Sequence, residues 1–430
     1  MKLKYIDWYS WGLIGFIAGS LLVLLSLSNG SWLLELPSFA LAPCSLIVVD
    51  VVSYYLSLLS IILGTVLFFI CNQISFRSRL MICLSIVSSV LCYCSVNVLV
   101  FWVFYEMSIL SLFYLLLADS PYSERYIAGW YLLGYVVLTS LPMLLCIFFL
   151  SVVFGSLSIV DWGVVQGGME VDYVTLLMVL GILFITKVPV PPFHVWLPIV
   201  HAEASSIVSI CLSGYIMKLG VLGVCRLCYS ILPDYLFNGW YVIIAFSLSV
   251  LFFISAAREL DGKRWLAFLS LAHILICMVC FYSVIYDLGP TAFLYSLGHG
   301  LSAGLLFLFL WWAYELSGSR NWMVLKGVLG GSLVFRVVVV ACLCTAASLP
   351  PTVQFFVEVG VLSELGAVNV AIFLFFCIYL FVSSLVPLFL LGSLLTRHFS
   401  IEYSCASSMF NFMSSIIFLV IWSFLAFILV

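Results

Sequence analysis

Charged side chains are scarce in this chain: 15 Lys plus Arg and 18 Asp plus Glu among 430 residues, or 8%. A soluble globule carries about 25%. Too little polar surface exists to cover a water-soluble body, which excludes a soluble catalytic domain, a disordered chain and a nucleic-acid-binding protein. No Walker or dinucleotide glycine motif occurs, so ATP, NAD and flavin have no visible seat here. No small-residue cleavage site follows Lys2, Lys4 and the apolar run from Trp11 to Ser28, so that run is expected to be a first membrane span and not a signal peptide.

What the chain has is apolar length, 66% hydrophobic and 17% aromatic. Most of its 15 cysteines stand singly in apolar runs, where a thiol behaves as a small hydrophobe. Two C-x-x-C pairs, Cys225/Cys228 and Cys277/Cys280, would need four thiolates stabilised near the membrane edge with almost no cation nearby, so no zinc or iron–sulfur centre is expected.

A hydrocarbon layer of about 30 Å needs about 20 helical residues. Runs of that order fall at 11–28, 50–72, 80–96, 98–118, 127–154, 173–199, 204–228, 238–257, 265–285, 290–314, 332–365, 366–391 and 407–429, which makes about thirteen spans. Counting sides by parity puts Lys2, Lys4, Arg77, Arg79, Arg125, Arg258, Lys263, Arg264, Arg320, Lys326, Arg336 and Arg397 on the side of the N-terminus. The other side holds Arg226 and the acidic Glu35, Asp161, Glu170, Asp172, Asp234 and Asp287. The positive-inside rule then turns the N-terminus toward the cytoplasm or the mitochondrial matrix.

Two spans are interrupted by proline, the sixth at Lys187-Val-Pro-Val-Pro-Pro192 and the eleventh at Ala347-Ser-Leu-Pro350-Pro351. Proline removes a donor and clashes with the preceding turn, so each span should split into two half-helices. The breaks lie five helices apart, an odd offset that turns one upside down relative to the other, as in inverted-repeat transporters. The expected fold class is therefore an all-α polytopic membrane protein with two inverted five-helix repeats, each containing a proline-broken helix. Residues 1–79 would form N-terminal peripheral helices, 80–228 the first repeat, 238–391 the second, and 392–430 a C-terminal helix.

Several ionisable residues sit where charge is costly. Glu106 stands about 12 Å into its helix, and Lys187 and Lys218 about 21 Å into theirs. A centrally placed charge costs at least about 2.5–3.5 kcal/mol, so three on adjoining helices imply a hydrated or mutually paired interior. A carboxylate beside a lysine holds it protonated, and moving the carboxylate away eases release of the proton. His273 and His299 lie at mid-depth in the ninth and tenth spans, with Ser270, Ser296 and Ser302 nearby to hold water, and imidazole passes protons well near neutral pH. Glu358 follows the second break by seven residues. His194, His201 and Glu203 match no standard metal-ligand spacing and are expected to brace the first break by hydrogen bonds. Gly300 and Gly304 are read as helix-packing contacts.

Together these residues resemble the antiporter-like membrane subunits of respiratory complex I. The resemblance is carried by Phe104-Tyr-Glu106, Glu124-Arg125-Tyr-Ile-Ala-Gly129, Lys187-Val-Pro, His194-Val-Trp-Leu-Pro198, His201-Ala-Glu203-Ala204 and Lys218-Leu-Gly220 through Arg226. Further on it rests on Asp261-Gly-Lys263 through His273, Gly298-His299-Gly300-Leu-Ser and Leu349-Pro-Pro through Glu358, so that it runs from about residue 50 to 390. It implies that Glu106 and Lys187 form a modulating ion pair in one half-channel with Lys218 as central relay. His273 and His299 would line the hydrated axis, with Glu358 as terminal carrier. A glutamate at 358 favours one paralogue, since its siblings usually carry lysine there. Ile199 and Val357 depart from the family's usual lysine and glycine, and about thirteen spans replace the common fourteen.

The resemblance further implies a proton-translocating subunit of an NADH:ubiquinone reductase that does no redox chemistry itself. NADH, FMN, iron–sulfur clusters and ubiquinone would belong to partner subunits, with neighbouring antiporter-like chains and lipids around it and no nucleic acid. The expected location is the mitochondrial inner membrane, or alternatively a bacterial plasma membrane. The alternatives are a subunit of a multisubunit Na⁺/H⁺ antiporter, or a membrane scaffold whose polar residues only fix packing.

Overall fold

The computed structural model describes residues 47–70, 74–164, 171–228, 236–283, 288–396 and 409–429. Their backbone is helical, with three isolated bridges and no extended strand among the described residues. In chain order the helices are α1 (Val51–Phe69), α2 (Phe76–Cys94), α3 (Val98–Asp119), α4 (Arg125–Phe154), α5 (Ile159–Val164), α6 (Val171–Ile185), α7 (Trp196–Glu203) and α8 (Ser206–Leu227). Then follow α9 (Gly239–Arg258), α10 (Gly262–Ser283), α11 (Leu288–Ser317), α12 (Trp322–Leu329), α13 (Leu333–Ala346), α14 (Val353–Val368), α15 (Val370–Leu395) and α16 (Met409–Leu425).

Ten described helices are long and apolar enough to cross a membrane. The sixth and eleventh expected spans are instead pairs of shorter helices, α6 with α7 and α13 with α14. The first expected span, Trp11–Ser28, lies outside the described residues, as do Lys2, Lys4, Glu35, Glu170, Asp234, Asp287 and Arg397.

Helix starts follow the local sequence. Asp50 and Ser53 form a reciprocal capping box on α1, with bonds of 2.9 and 2.8 Å. Asn97 caps α3, Asn238 caps α9 and Asn369 caps α15, each accepting from first-turn amides that the helix leaves unpaired. Two helices carry a π turn, Leu133–Val137 in α4 and Leu212–Ile216 in α8. These were not expected from the sequence, which reads there as unbroken apolar periodicity.

The helices are layered. α8, α10 and α11 are enclosed, with 94%, 89% and 100% of their membrane-length windows buried, whereas α4 and α15 are 33% and 28% buried. A helix that is apolar all round can sit at the centre only if its neighbours are protein. Small residues permit the close approach: a Cβ on Gly300 of α11 would lie 2.8 Å from the Gly214 carbonyl oxygen of α8 and 2.5 Å from Leu59 Cδ2 of α1, and one on Gly304 would lie 2.5 Å from Leu63 Cδ2. The packing role expected of these two glycines matches what they touch.

Candidate functional site

The two breaks create the site. α6 stops at Ile185 and α7 resumes at Trp196; the Trp196 indole N–H donates to the Thr186 carbonyl at 3.0 Å, which ties the second half-helix to the end of the first. Lys187 stands in this gap. Its Nζ lies 3.1 Å from Glu106 Oε1 of α3 and 4.6 Å from the centre of the Tyr105 ring, and both partners of the pair are buried. The sequence placed these charges 81 residues apart, and the fold brings them into direct contact.

Lys218 is fully enclosed on α8, where its ammonium donates to the carbonyl of Ser213, inside the π turn. A π turn widens the backbone ladder and leaves a carbonyl open to such a donor. α8 lies directly against the first break: a Cβ on Gly220 would stand 2.7 Å from Val188 Cγ2 and 3.3 Å from the Phe184 carbonyl.

His299 occupies the crossing point of α11 with both neighbours. The preceding Gly298 faces the start of α14, where a Cβ would lie 3.2 Å from the Gln354 amide nitrogen, while Gly300 faces the π turn of α8. The His299 and His273 ring centres are 5.7 Å apart. Between them lies a cavity of about 10 Å³ lined by Ser270, His273, His299 and Ser302 among apolar neighbours. That is close to the space one water requires, and the Ser270 hydroxyl and the His299 ring nitrogens have no hydrogen-bond partner among the described residues.

Glu358 is buried on α14 just past the second break. Its Oε1 accepts from the Ser348 hydroxyl at 3.2 Å and from the Tyr295 hydroxyl at 3.4 Å. Tyr295 lies 3.2 Å from His273 Nδ1, and Tyr379 of α15 lies 2.7 Å from the same nitrogen. His273, Tyr295 and Glu358 are thereby joined by hydrogen bonds. All six candidate residues are buried; Glu106 meets Lys187, and Glu358 meets His273 through Tyr295. Among the described residues no direct bond links Lys187 to Lys218 or Lys218 to His299.

Tyr295, Tyr379 and Ser348 were missed in the sequence. The sequence places Lys263 among the cations on the side of the N-terminus, and its burial is visible only in the structure. Its Nζ donates to the Ala204 carbonyl at 2.8 Å, and Arg320 donates to the Ala202 carbonyl at 2.5 Å, so two cations cap the end of α7. Both also lie over the Tyr122 ring, at 5.3 and 4.3 Å. Burial pushes the Tyr122 phenol above its ordinary value, with the Arg320 charge opposing the shift. His201 corrects an expectation: neither of its ring nitrogens has a hydrogen-bond partner among the described residues, so it does not brace the break in that way. Cys228 and Cys277 place their thiols 3.7 Å from the carbonyls of Leu177 and Ala292, as small buried donors.

A polytopic helical membrane protein that encloses ionisable groups beside two broken helices is the class this architecture defines. The family described as NADH:quinone oxidoreductase/Mrp antiporter, TM, matches residues 95–385, and the chain belongs to it. Among curated relatives, NADH-ubiquinone oxidoreductase chain 4 of Caenorhabditis elegans is 24% identical over 300 residues, covering 69% of this chain and 70% of that one. Chain 4 of Apis mellifera ligustica is 26% identical over 380 residues, covering 86% and 83%. Chain 4 is the paralogue to which a glutamate at 358 pointed. In structure, a chain of respiratory complex I from Thermus thermophilus superposes with a TM-score of 0.80 at 18% identity, covering 96% of this chain and 91% of that one, which supports the fold.

Proposed function

We propose that this chain is a proton-translocating membrane-arm subunit of respiratory complex I. The observation that carries this is the buried Glu106–Lys187 pair at 3.1 Å, set in a helix break. Separating such a pair leaves uncompensated buried charge, at a cost of roughly 3–5 kcal/mol. A device of that kind has two electrostatic states, and an outside source of energy must bias them. NADH oxidation and quinone reduction in partner subunits would be that source, with NADH, FMN, iron–sulfur clusters and ubiquinone held there.

In this reading the membrane part has about thirteen spans. Residues 80–228 and 238–391 are inverted five-helix repeats, flanked by N-terminal helices in 1–79 and a C-terminal helix in 392–430. When Glu106 withdraws from Lys187, the lysine passes its proton toward Lys218. The proton continues by way of His299 and the water-sized cavity to His273, Tyr295 and Glu358. Each hand-over moves one proton from a donor to the adjacent acceptor and leaves the donor one proton short until the group before it resupplies the proton. The protein would lie in the mitochondrial inner membrane with its N-terminus toward the matrix, among other membrane-arm subunits.

The test is proton uptake per electron in vesicles containing the whole complex with Glu106→Gln or Lys187→Ala. Loss of uptake with assembly intact is expected, while normal pumping per electron would overturn the assignment. The family also includes Mrp antiporters, and sodium-dependent exchange without NADH would favour that second reading.

A further inference from the structure

Tyr241, in the first turn of α9, is a half-buried phenol that the relay above does not use. Its hydroxyl donates to the carbonyl of Pro191 at 2.7 Å. That carbonyl belongs to the first break, the stretch 186–195 between α6 and α7. Pro189, Pro191 and Pro192 have no N–H to give, so the stretch cannot hold itself by a backbone ladder. Two side chains donate to its carbonyls instead: the Trp196 indole to Thr186 at 3.0 Å, and Tyr241 to Pro191. Lys187 stands between the two anchored carbonyls in the chain.

Packing around the stretch is incomplete. An apolar cavity of about 10 Å³ lies between Val188 and Val190 of the break and Ile274, Met278 and Phe281 of α10, with Phe237 also in its wall. A void forfeits dispersion contacts on the side it faces, so hydrogen bonds take a larger share in fixing the break. Tyr241 is itself held firmly: its ring stacks on Phe237 with centres 6.4 Å apart, and Phe237 stacks on Phe281 at 6.1 Å. Further along α9, the Phe246 ring lies 5.0 Å from that of Tyr379, and Phe253 meets His273 edge-on at 5.5 Å. From Tyr241 to Phe253 is about 18 Å of helix. One helix thus touches the Lys187 break near its start and His273 toward its other end.

We propose that Tyr241 is a positioning residue for the Glu106–Lys187 pair. Its hydrogen bond to Pro191 fastens the first break to α9, so that Lys187 is held against Glu106 and α9 links the pair to His273. A shift of α9 at the His273 end pulls on Pro191 and moves Lys187 relative to Glu106, and opening of the pair works on α9 in return. Two sites that bias the same rigid element are coupled through it.

This inference rests on the proton-translocating reading, and the experiment separates the two. Tyr241→Phe, Tyr241→Leu and Glu106→Gln would each be made in the whole complex and reconstituted in vesicles, with electron transfer and proton uptake recorded together across a pH series. Phe keeps the stacking on Phe237 and loses the donor; Leu loses both. Expected in Tyr241→Phe is a fall in uptake per electron of about threefold to tenfold, the worth of one hydrogen bond. The alkaline limb of its pH dependence should also move to lower pH, because a lysine held less closely by its carboxylate gives up its proton more readily. The position of that limb does not depend on how much complex assembles. Tyr241→Leu should lose at least as much uptake. Normal uptake in Tyr241→Phe with Tyr241→Leu impaired would reduce Tyr241 to ring packing and overturn the proposal, as would a fall in uptake with the limb unmoved. Normal uptake in Glu106→Gln would overturn the functional reading itself.

Discussion

The Tyr379 hydroxyl lies 2.7 Å from His273 Nδ1, at a nitrogen that Tyr295 also approaches to 3.2 Å. The two phenols come from different helices, α15 and α11, and both are fully buried. Tyr295 has a single proton to give and two neighbours to serve, since Glu358 lies on its other side at 3.4 Å. When Tyr379 donates to Nδ1, Tyr295 is released to donate to the carboxylate. In the proposed relay this pair of tyrosines would couple the protonation of His273 to that of Glu358 without either side chain moving far.

Replacing Tyr379 with Phe tests this arrangement. The ring stays packed against Phe246 and Phe376, so the fold should lose only one hydrogen bond, about 0.5–1.5 kcal/mol. Proton uptake should slow, because Tyr295 must then serve both neighbours. The double replacement with Tyr295→Phe should cost more than the sum of the single ones, since Nδ1 is left with no donor. Additive effects in a double-mutant cycle of uptake rates would argue against a shared nitrogen.

The sequence disclosed the parts of the protein that physical cost makes conspicuous. Glu106, Lys187, Lys218 and Glu358 stand out because charge in an apolar helix is expensive, and the two breaks because Pro191, Pro192, Pro350 and Pro351 cannot continue a helix. Tyr295 and Tyr379 do not stand out: they are two of 22 tyrosines in a chain that is 17% aromatic, and only tertiary contact aims them at His273. Lys263 near the start of α10 looks like a loop cation, and its burial depends on where α7 ends. The missing partners of His201 are invisible without neighbours in place. The π turns of α4 and α8 are hidden for a related reason, because one extra residue in a turn leaves apolar periodicity almost unchanged.

Arg320→Gln probes the clasp at the end of α7. Arg320 pairs with Asp261 at 3.3 Å, lies over Tyr122 and donates to Ala202, while its own carbonyl accepts from the Gly262 amide at 3.0 Å. Only the side-chain contacts are lost on substitution, at a partly exposed site, so the cost should be roughly 1–2 kcal/mol. Proteolysis between Glu203 and Ser206 in detergent-solubilised complex should become faster, with little change at α15. Unchanged cleavage would mean that Lys263 alone holds this helix end.

Gly300→Ala should be the most damaging single-carbon change near the relay. Its new methyl would meet Leu59 Cδ2 at 2.5 Å and the Gly214 carbonyl oxygen at 2.8 Å. Leu59 can swing away, but the carbonyl belongs to the π turn whose neighbouring Ser213 carbonyl receives Lys218. α11 would have to back off by several tenths of an ångström, an overpacking cost of about 1–3 kcal/mol, and would carry His299 with it. Adding Leu59→Ala should restore thermal stability only in part, because the backbone contact remains. Proton uptake should stay low in that double variant, since His299 is still displaced from the π turn. Full recovery of both would show that Leu59, and not the approach of α11 to Gly214, sets the limit at this crossing.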